Sequence, residues 1–232
     1  MKQIYGSLLS FFVAFGLVTI AVSGAHTVLA ADNAGFGPCL EAVIADIETN
    51  ELSSDEAAGI LYMREEEKLA RDVYDRLGDL WGVPIFRNIA RSEDTHMDAV
   101  LVLIDRYDLS DPVGDNGPGV FEDPALQTMF DDLVETGTTS LEDAFRVGVL
   151  IEELDIADLT DRLATTDNID VRIVYQNLMK GSRNHLRSFY RQLDRSSVDY
   201  EPMYLPADEF SRIIDSPRET GGAIDDPNYR LE

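Results

Sequence analysis

Residues 85–103 read IFRNIARSEDTHMDAVLVL. Ile85, Ile89, Val100 and Leu103 fall on one face of an α-helix, where residues three or four apart stack one above another. Glu93 and His96 interrupt that same face, at positions where the pattern calls for apolar side chains. A helix that turns a carboxylate and an imidazole toward its own core needs something there to receive them.

Working outward, the flanking sequence punctuates further helices. Ser53-x-x-Glu56 is a capping box that opens a first helix over 54–80, and Gly82 stops it. Pro84 suits the first position of the second helix, which runs to Tyr107. The connection over 108–138 is rich in Gly, Pro and Asp, with a short helix expected from Pro124 to Val134. Ser140-x-x-Asp143 begins a third helix over 140–163, and a turn at 165–168 leads to a fourth over 170–193. Short helices are expected at Leu40–Ile47 and Ala207–Ile214, and no segment alternates as a strand would. The fold class is therefore all-α: a four-helix bundle of two antiparallel hairpins with one long crossover, the connectivity of ferritin-like bundles.

The first thirty residues stand apart. Lys2 precedes an uncharged apolar run from Leu8 to Val22, and Val28 and Ala30 offer small residues for cleavage before Ala31. The run falls short of the ~20 residues a membrane span needs, so it reads as a cleaved signal peptide rather than an anchor. The expected organisation is a signal peptide over 1–30, a lead-in over 31–52, the bundle over 53–195 and a polar tail over 196–232. Export to the periplasm or the extracellular space follows, with no membrane association after cleavage.

Lys and Arg number 19 against 44 Asp and Glu, a formal net charge of −25. That charge repels nucleic acid and anionic membrane surfaces, and most of these carboxylates read as a solvated acidic surface. Cys39 is the single cysteine, which excludes an intrachain disulfide and a Cys-x-x-Cys metal knuckle, and it is read as incidental.

Each of the other long helices also carries polar residues on its apolar seam. Glu67 falls among Ile60, Met63, Ala70, Tyr74 and Leu77. Glu152 and Asp155 interrupt Leu141, Phe145, Gly148, Leu159 and Leu163, and His185 interrupts Val174, Leu178, Gly181 and Phe189. Glu66 rivals Glu67, since it also lies on the broad apolar arc of its helix. At ~1.5 Å per residue the heights of these groups along the bundle agree within a turn or two. Buried carboxylates without cations are not tolerated, and two divalent ions would balance Glu67, Glu93, Glu152 and Asp155 together with neutral His96 and His185. The competing reading of each motif alone is bland: a solvated Glu-x-x-His pair, or a hydrogen-bonded core histidine. Histidine scarcity favours the metal. Of three in the chain, His26 lies in the signal, and the other two both fall on inward faces.

Glu67-Lys-Leu-Ala70-Arg-Asp-Val73-Tyr74 resembles the first-helix motif of ferritins and rubrerythrins, and Glu93-Asp-Thr-His96 their second-helix Glu-x-x-His. With Ile151-Glu152-Glu153-x-Asp155-Ile-x-Asp158-Leu and Gly181-Ser182-x-Asn184-His185-Leu, the run from 54 to 193 resembles a rubrerythrin-related family of unknown function within the ferritin-like superfamily. The resemblance implies a carboxylate-bridged pair of iron ions, with manganese or zinc as alternatives. His96 and His185 would be terminal ligands, Glu93 and either Glu152 or Asp155 bridges, and Tyr74 a support behind them. Ferroxidase or peroxide- and dioxygen-reducing chemistry would need an electron donor from outside the chain, and a homodimer is compatible with the fold. A non-enzymatic metal-binding bundle and a metal-free structural bundle are the alternatives. One position departs from the pattern. The fourth helix has Gly181 and Ser182 where such proteins carry a carboxylate before the histidine, and Asp155 is the candidate replacement.

Overall fold

The computed structural model describes residues 36–220. Seven α-helices and no strands occur among them: α1 (Phe36–Ala45), α2 (Ser54–Trp81), α3 (Pro84–Arg106), α4 (Pro124–Gly137), α5 (Leu141–Thr165), α6 (Ile169–Arg195) and α7 (Ala207–Asp215). The expected signal peptide and the Cys39 side chain lie outside what is described. No helix among the described residues is long and apolar enough to cross a membrane.

Local chemistry sets the helix ends. At the start of α2 the Ser53 hydroxyl accepts from the Glu56 amide, while the Glu56 carboxylate accepts from the Ser53 amide at 2.9 Å. Gly82 ends that helix with φ 68°, a left-handed conformation that suits glycine. Pro84 then opens α3 at once, so the two-residue link folds α3 back along α2. Ser140 caps α5, and residues 166–168 return the chain into α6, which packs along α5.

The two hairpins meet through contacts of α3 with α6 and of α2 with α5, while α4 leans on α2 and α5. Ile60, Met63, Tyr74 and Leu77 from α2 join Val100, Leu103, Leu159, Leu163, Val174, Leu178 and Phe189 in a single core. One register differs from expectation. Phe86, not Ile85, is fully buried at the start of α3, stacked on Phe145 at 5.6 Å, and Ile85 is only partly covered. A second difference is α1, which begins at Phe36 rather than Leu40 and ends at Ala45.

The crossover lies over the outer side of α2. The Lys68 ammonium, fully buried, donates to Asp72 at 2.6 Å and to the Gly117 carbonyl at 2.9 Å. Glu65 accepts from the Glu122 and Asp123 amides, and Arg64 donates to the Met97 carbonyl and to Asp111. The tail is tied down as well: α7 packs on α6 with Phe210 and Ile213 buried. Beyond it, the Glu219 carboxylate accepts from Arg183 and Arg187.

Candidate metal centre

Five of the six sequence-selected residues meet in the bundle interior. Glu93, on α3, is the middle of the group. Its Oε2 lies 2.7 Å from His96 Nδ1 and its Oε1 lies 2.9 Å from His185 Nδ1. Glu67 Oε2, from α2, stands 3.2 Å from the same nitrogen of His96. Glu152 Oε2, from α5, stands 3.5 Å from that of His185. The two imidazoles face each other with ring centroids 5.4 Å apart. All five side chains are buried.

Asp155, the sixth, is buried nearby but held differently. One of its oxygens accepts from the Ser182 hydroxyl of α6 and the other has no partner. The missing fourth-helix carboxylate thus has a physical reason. A Cβ at position 181 would collide with the His96 ring, so a side chain there requires that ring to move. Position 182 carries instead the hydroxyl that fixes Asp155.

Supporting groups orient the inner ones. The Tyr74 hydroxyl donates to Glu152 Oε1 at 2.5 Å, leaving Oε2 toward His185. Ser92 Oγ lies 3.0 Å from His185 Nε2 and so anchors the far side of that ring. Sequence reading missed Ser92, although it directly precedes Glu93. Glu153 turns away from the centre, as its position around the helix predicts, yet it is not solvated. It is buried beneath the tail, where it accepts from the Tyr200 hydroxyl and the Met203 amide.

The electrostatics are those of a cluster without ions. Burial alone would raise Glu93, but His185 and His96 beside it hold it down at about 2. Burial disfavours a charged His185, yet Glu93 and Glu152 raise it to about 10, and His96 is likewise driven well up by Glu67 and Glu93. Burial, offset in part by His185, pushes Glu152 up to about 7. Burial also raises Glu67 and Asp155.

Several of these buried atoms lack a hydrogen-bond partner: Glu67 Oε1, Glu93 Oε1, Asp155 Oδ1 and His185 Nδ1. The 2.9 Å approach of Glu93 Oε1 to His185 Nδ1 is therefore close without being an aligned hydrogen bond. Glu93, His96 and His185 each present one donor atom, and these atoms lie within 4.8 Å of one another. Carboxylate and imidazole donors at that spacing suit a transition metal ion.

Fold and site together define a helical protein whose interior holds a histidine–carboxylate cluster, with Glu93, His96 and His185 as a candidate metal site. The chain belongs to the DUF2202 family, described as an uncharacterized protein domain, which residues 56–217 match. It is 48% identical over 178 residues to the uncharacterized protein MJ0754 of Methanocaldococcus jannaschii, across 77% of this chain and 96% of that protein. It is also similar to the crystal structure of the hypothetical protein MJ0754 from Methanococcus jannaschii, with a TM-score of 0.74, covering 75% of this chain and 99% of that one.

Proposed function

We propose that this protein is an exported ferritin-like bundle in which Glu93, with its flanking histidines and carboxylates, would hold two transition-metal ions, iron foremost. The observation that carries the reading is the Glu93 carboxylate, which presents one oxygen to each imidazole at 2.7 and 2.9 Å. Glu67 and His96 would complete one ion's donors, and Glu152 and His185 the other's. Asp155 stands by as a further carboxylate. Unpartnered oxygens on Glu67, Glu93 and Asp155 fit this assignment, because a buried carboxylate without a donor needs a cation beside it. The order of helices, two hairpins joined by the segment that contains α4, supports the ferritin-like arrangement.

Such ions, when bound, would supply a one-electron couple, the basis of ferroxidase or peroxidase chemistry. The chain's own contribution is to hold the donors. Tyr74 fixes Glu152, Ser92 fixes the His185 ring, and Gly181 leaves room for His96. Electrons would come from an external donor.

A metal-free structural role has one specific observation in its favour: with both imidazoles protonated, Glu93 pairs with each, and the cluster partly neutralises itself. Elemental analysis of protein isolated from its native compartment separates the two. The expected result is about two transition-metal ions per chain. Protein that carries none, and takes up none when offered ferrous or manganous ions, refutes the metal reading. Intact mass of the same material tests export, since a mass that retains residues 1–30 refutes signal cleavage.

A further inference from the structure

Glu66 precedes Glu67 by one residue, and its carboxylate does not reach the histidines. The residue is 2% exposed, and no N–H or hydroxyl donates to either of its oxygens. What faces it comes from α5: the Asp158 carboxylate most strongly, then Asp155, with the Arg162 guanidinium as the nearest countercharge. Residues 155, 158 and 162 are three and four apart, so they form one stripe down that helix.

The stripe is graded from inside to outside. Asp155 is buried and adjoins Glu67 of the metal centre. Asp158 and Arg162 are only half-buried, and so is Tyr62, which sits one turn before Glu66 on α2. The Arg162 guanidinium lies over the Tyr62 ring at 4.8 Å. Exposed Asp161 and half-buried Asp123 add negative charge around this outer end. Carboxylates are thus neighbours in turn from half-buried Asp158, through Glu66, to Asp155 and Glu67.

A buried carboxylate that receives no N–H or hydroxyl and lies against a second carboxylate, as Glu66 lies against Asp158, is held by a cation or by a shared proton. Among the described residues, Glu93, His96 and His185 are the only three donors gathered within 4.8 Å, so Glu66, Asp155 and Asp158 do not close around a resting ion.

We propose that Glu66, with Asp158 outside it and Asp155 inside it, is a transit position that conducts divalent cations from the acidic mouth at Asp158 and Tyr62 to the histidine-bearing centre. The proposal rests on the metal reading above. Arg162 occupies the mouth in the absence of an ion as the exchangeable countercharge of Asp158.

The test is stopped-flow loading of the chelator-treated full chain with cobalt(II), read by ligand-field absorbance, with equilibrium titration of the same samples. Removing a carboxylate from a charged channel slows entry without changing the destination. Glu66→Gln is therefore expected to load about tenfold more slowly or worse, at unchanged final stoichiometry and affinity. Asp158→Asn, at a half-buried position and with its acceptor oxygen for Tyr62 retained, should slow loading in the same direction and decides the matter alone if Glu66→Gln does not fold. Unchanged rates overturn the proposal and leave Glu66 and Asp158 as carboxylates sharing a proton. A lower final stoichiometry in Glu66→Gln also overturns it, making Glu66 a ligand of the centre. Wild-type protein that binds no cobalt removes the centre itself, a failure distinct from either.

Discussion

The run Arg64-Glu65-Glu66-Glu67-Lys68 places five charged residues in succession on α2, and all five are buried. Two regions bury them, and the regions behave in opposite ways. On the outer side, Arg64, Glu65 and Lys68 are met by the crossover and by α3: amides at 122 and 123 for Glu65, the Gly117 carbonyl and Asp72 for Lys68, Asp111 and the Met97 carbonyl for Arg64. On the inner side, Glu66 has no donor at either oxygen and Glu67 none at Oε1. Degree of burial is alike on the two sides, but the outer set mixes two cations with a carboxylate and the inner set is carboxylates alone. The outer set finds its partners within the polypeptide, whereas Glu66 meets further carboxylates from α5.

The comparison breaks most sharply at the ligands. His96→Ala and His185→Ala are each expected to lose at least one bound ion, with stability falling by the linked binding energy, whereas no outer-side variant should change metal content. Metal analysis of dialysed variants decides this, and unchanged content in both histidine variants would remove the centre. Asp155→Asn, read in the same assay, asks whether the carboxylate held by Ser182 serves an ion as well.

The outer side should fail differently. Lys68→Met leaves Asp72 buried without its ammonium partner and is expected to cost about 3 kcal/mol in urea unfolding, at unchanged metal stoichiometry. Arg71 also pairs with Asp72, at 2.7 Å, and keeps the loss from being larger. A variant that lost its ions too would show that the crossover and the centre are one unit.

Acidity separates the sides a third way. In metal-free protein the His185 pKa is raised from 6.5 to about 10, so its contribution to stability is complete below 6.5 and disappears as pH rises through 10. Glu152, raised from 4.5 to about 7, adds an earlier decline that runs from pH 4.5 to 7 and is complete before that of His185. Thermal melts with a chelator should therefore show stability falling from neutral pH to pH 10, and saturating metal should flatten the decline, since ions take the place of the protons. Metal-free melts that improve over that window would contradict the cluster's electrostatics.

The smallest effect belongs to Glu153, one residue from Glu152. Glu153→Gln keeps an acceptor for the Met203 amide and is expected to cost about 1 kcal/mol while ion content stays at the wild-type value. Loss of an ion here would mean that α5 is rotated from the orientation described, with Glu153 inward.

Much of this fold was legible because its boundaries are written in local chemistry. Ser53, Gly82, Pro84 and Ser140 act on amides and dihedrals within a few residues, and each helix end falls close to where they put it. Glu93 and His96 were legible for the same kind of reason, since a spacing of three places both on the seam of α3. Ser92 and Ser182 were not. A serine reveals its role only when the neighbouring helix shows what it touches, here His185 and Asp155. The burial of Arg64, Glu65 and Lys68 was equally hidden, because an irregular loop covers them and a loop has no period. The one-residue step from Glu152 turns Glu153 away from the seam, and only the tail that returns over it makes it internal.

The contact between Gly181 and His96 also constrains how the sequence can change. A side chain at 181 requires the His96 ring to move, whereas position 182, the other place for a carboxylate on α6, is held by the hydroxyl that Asp155 accepts from. The two positions therefore oppose a carboxylate in different ways: 181 by the space it lacks, 182 by the hydrogen bond it would forfeit. Libraries that vary 181 together with 96, and 182 together with 155, reach alternatives that single substitutions meet only by breaking an existing contact.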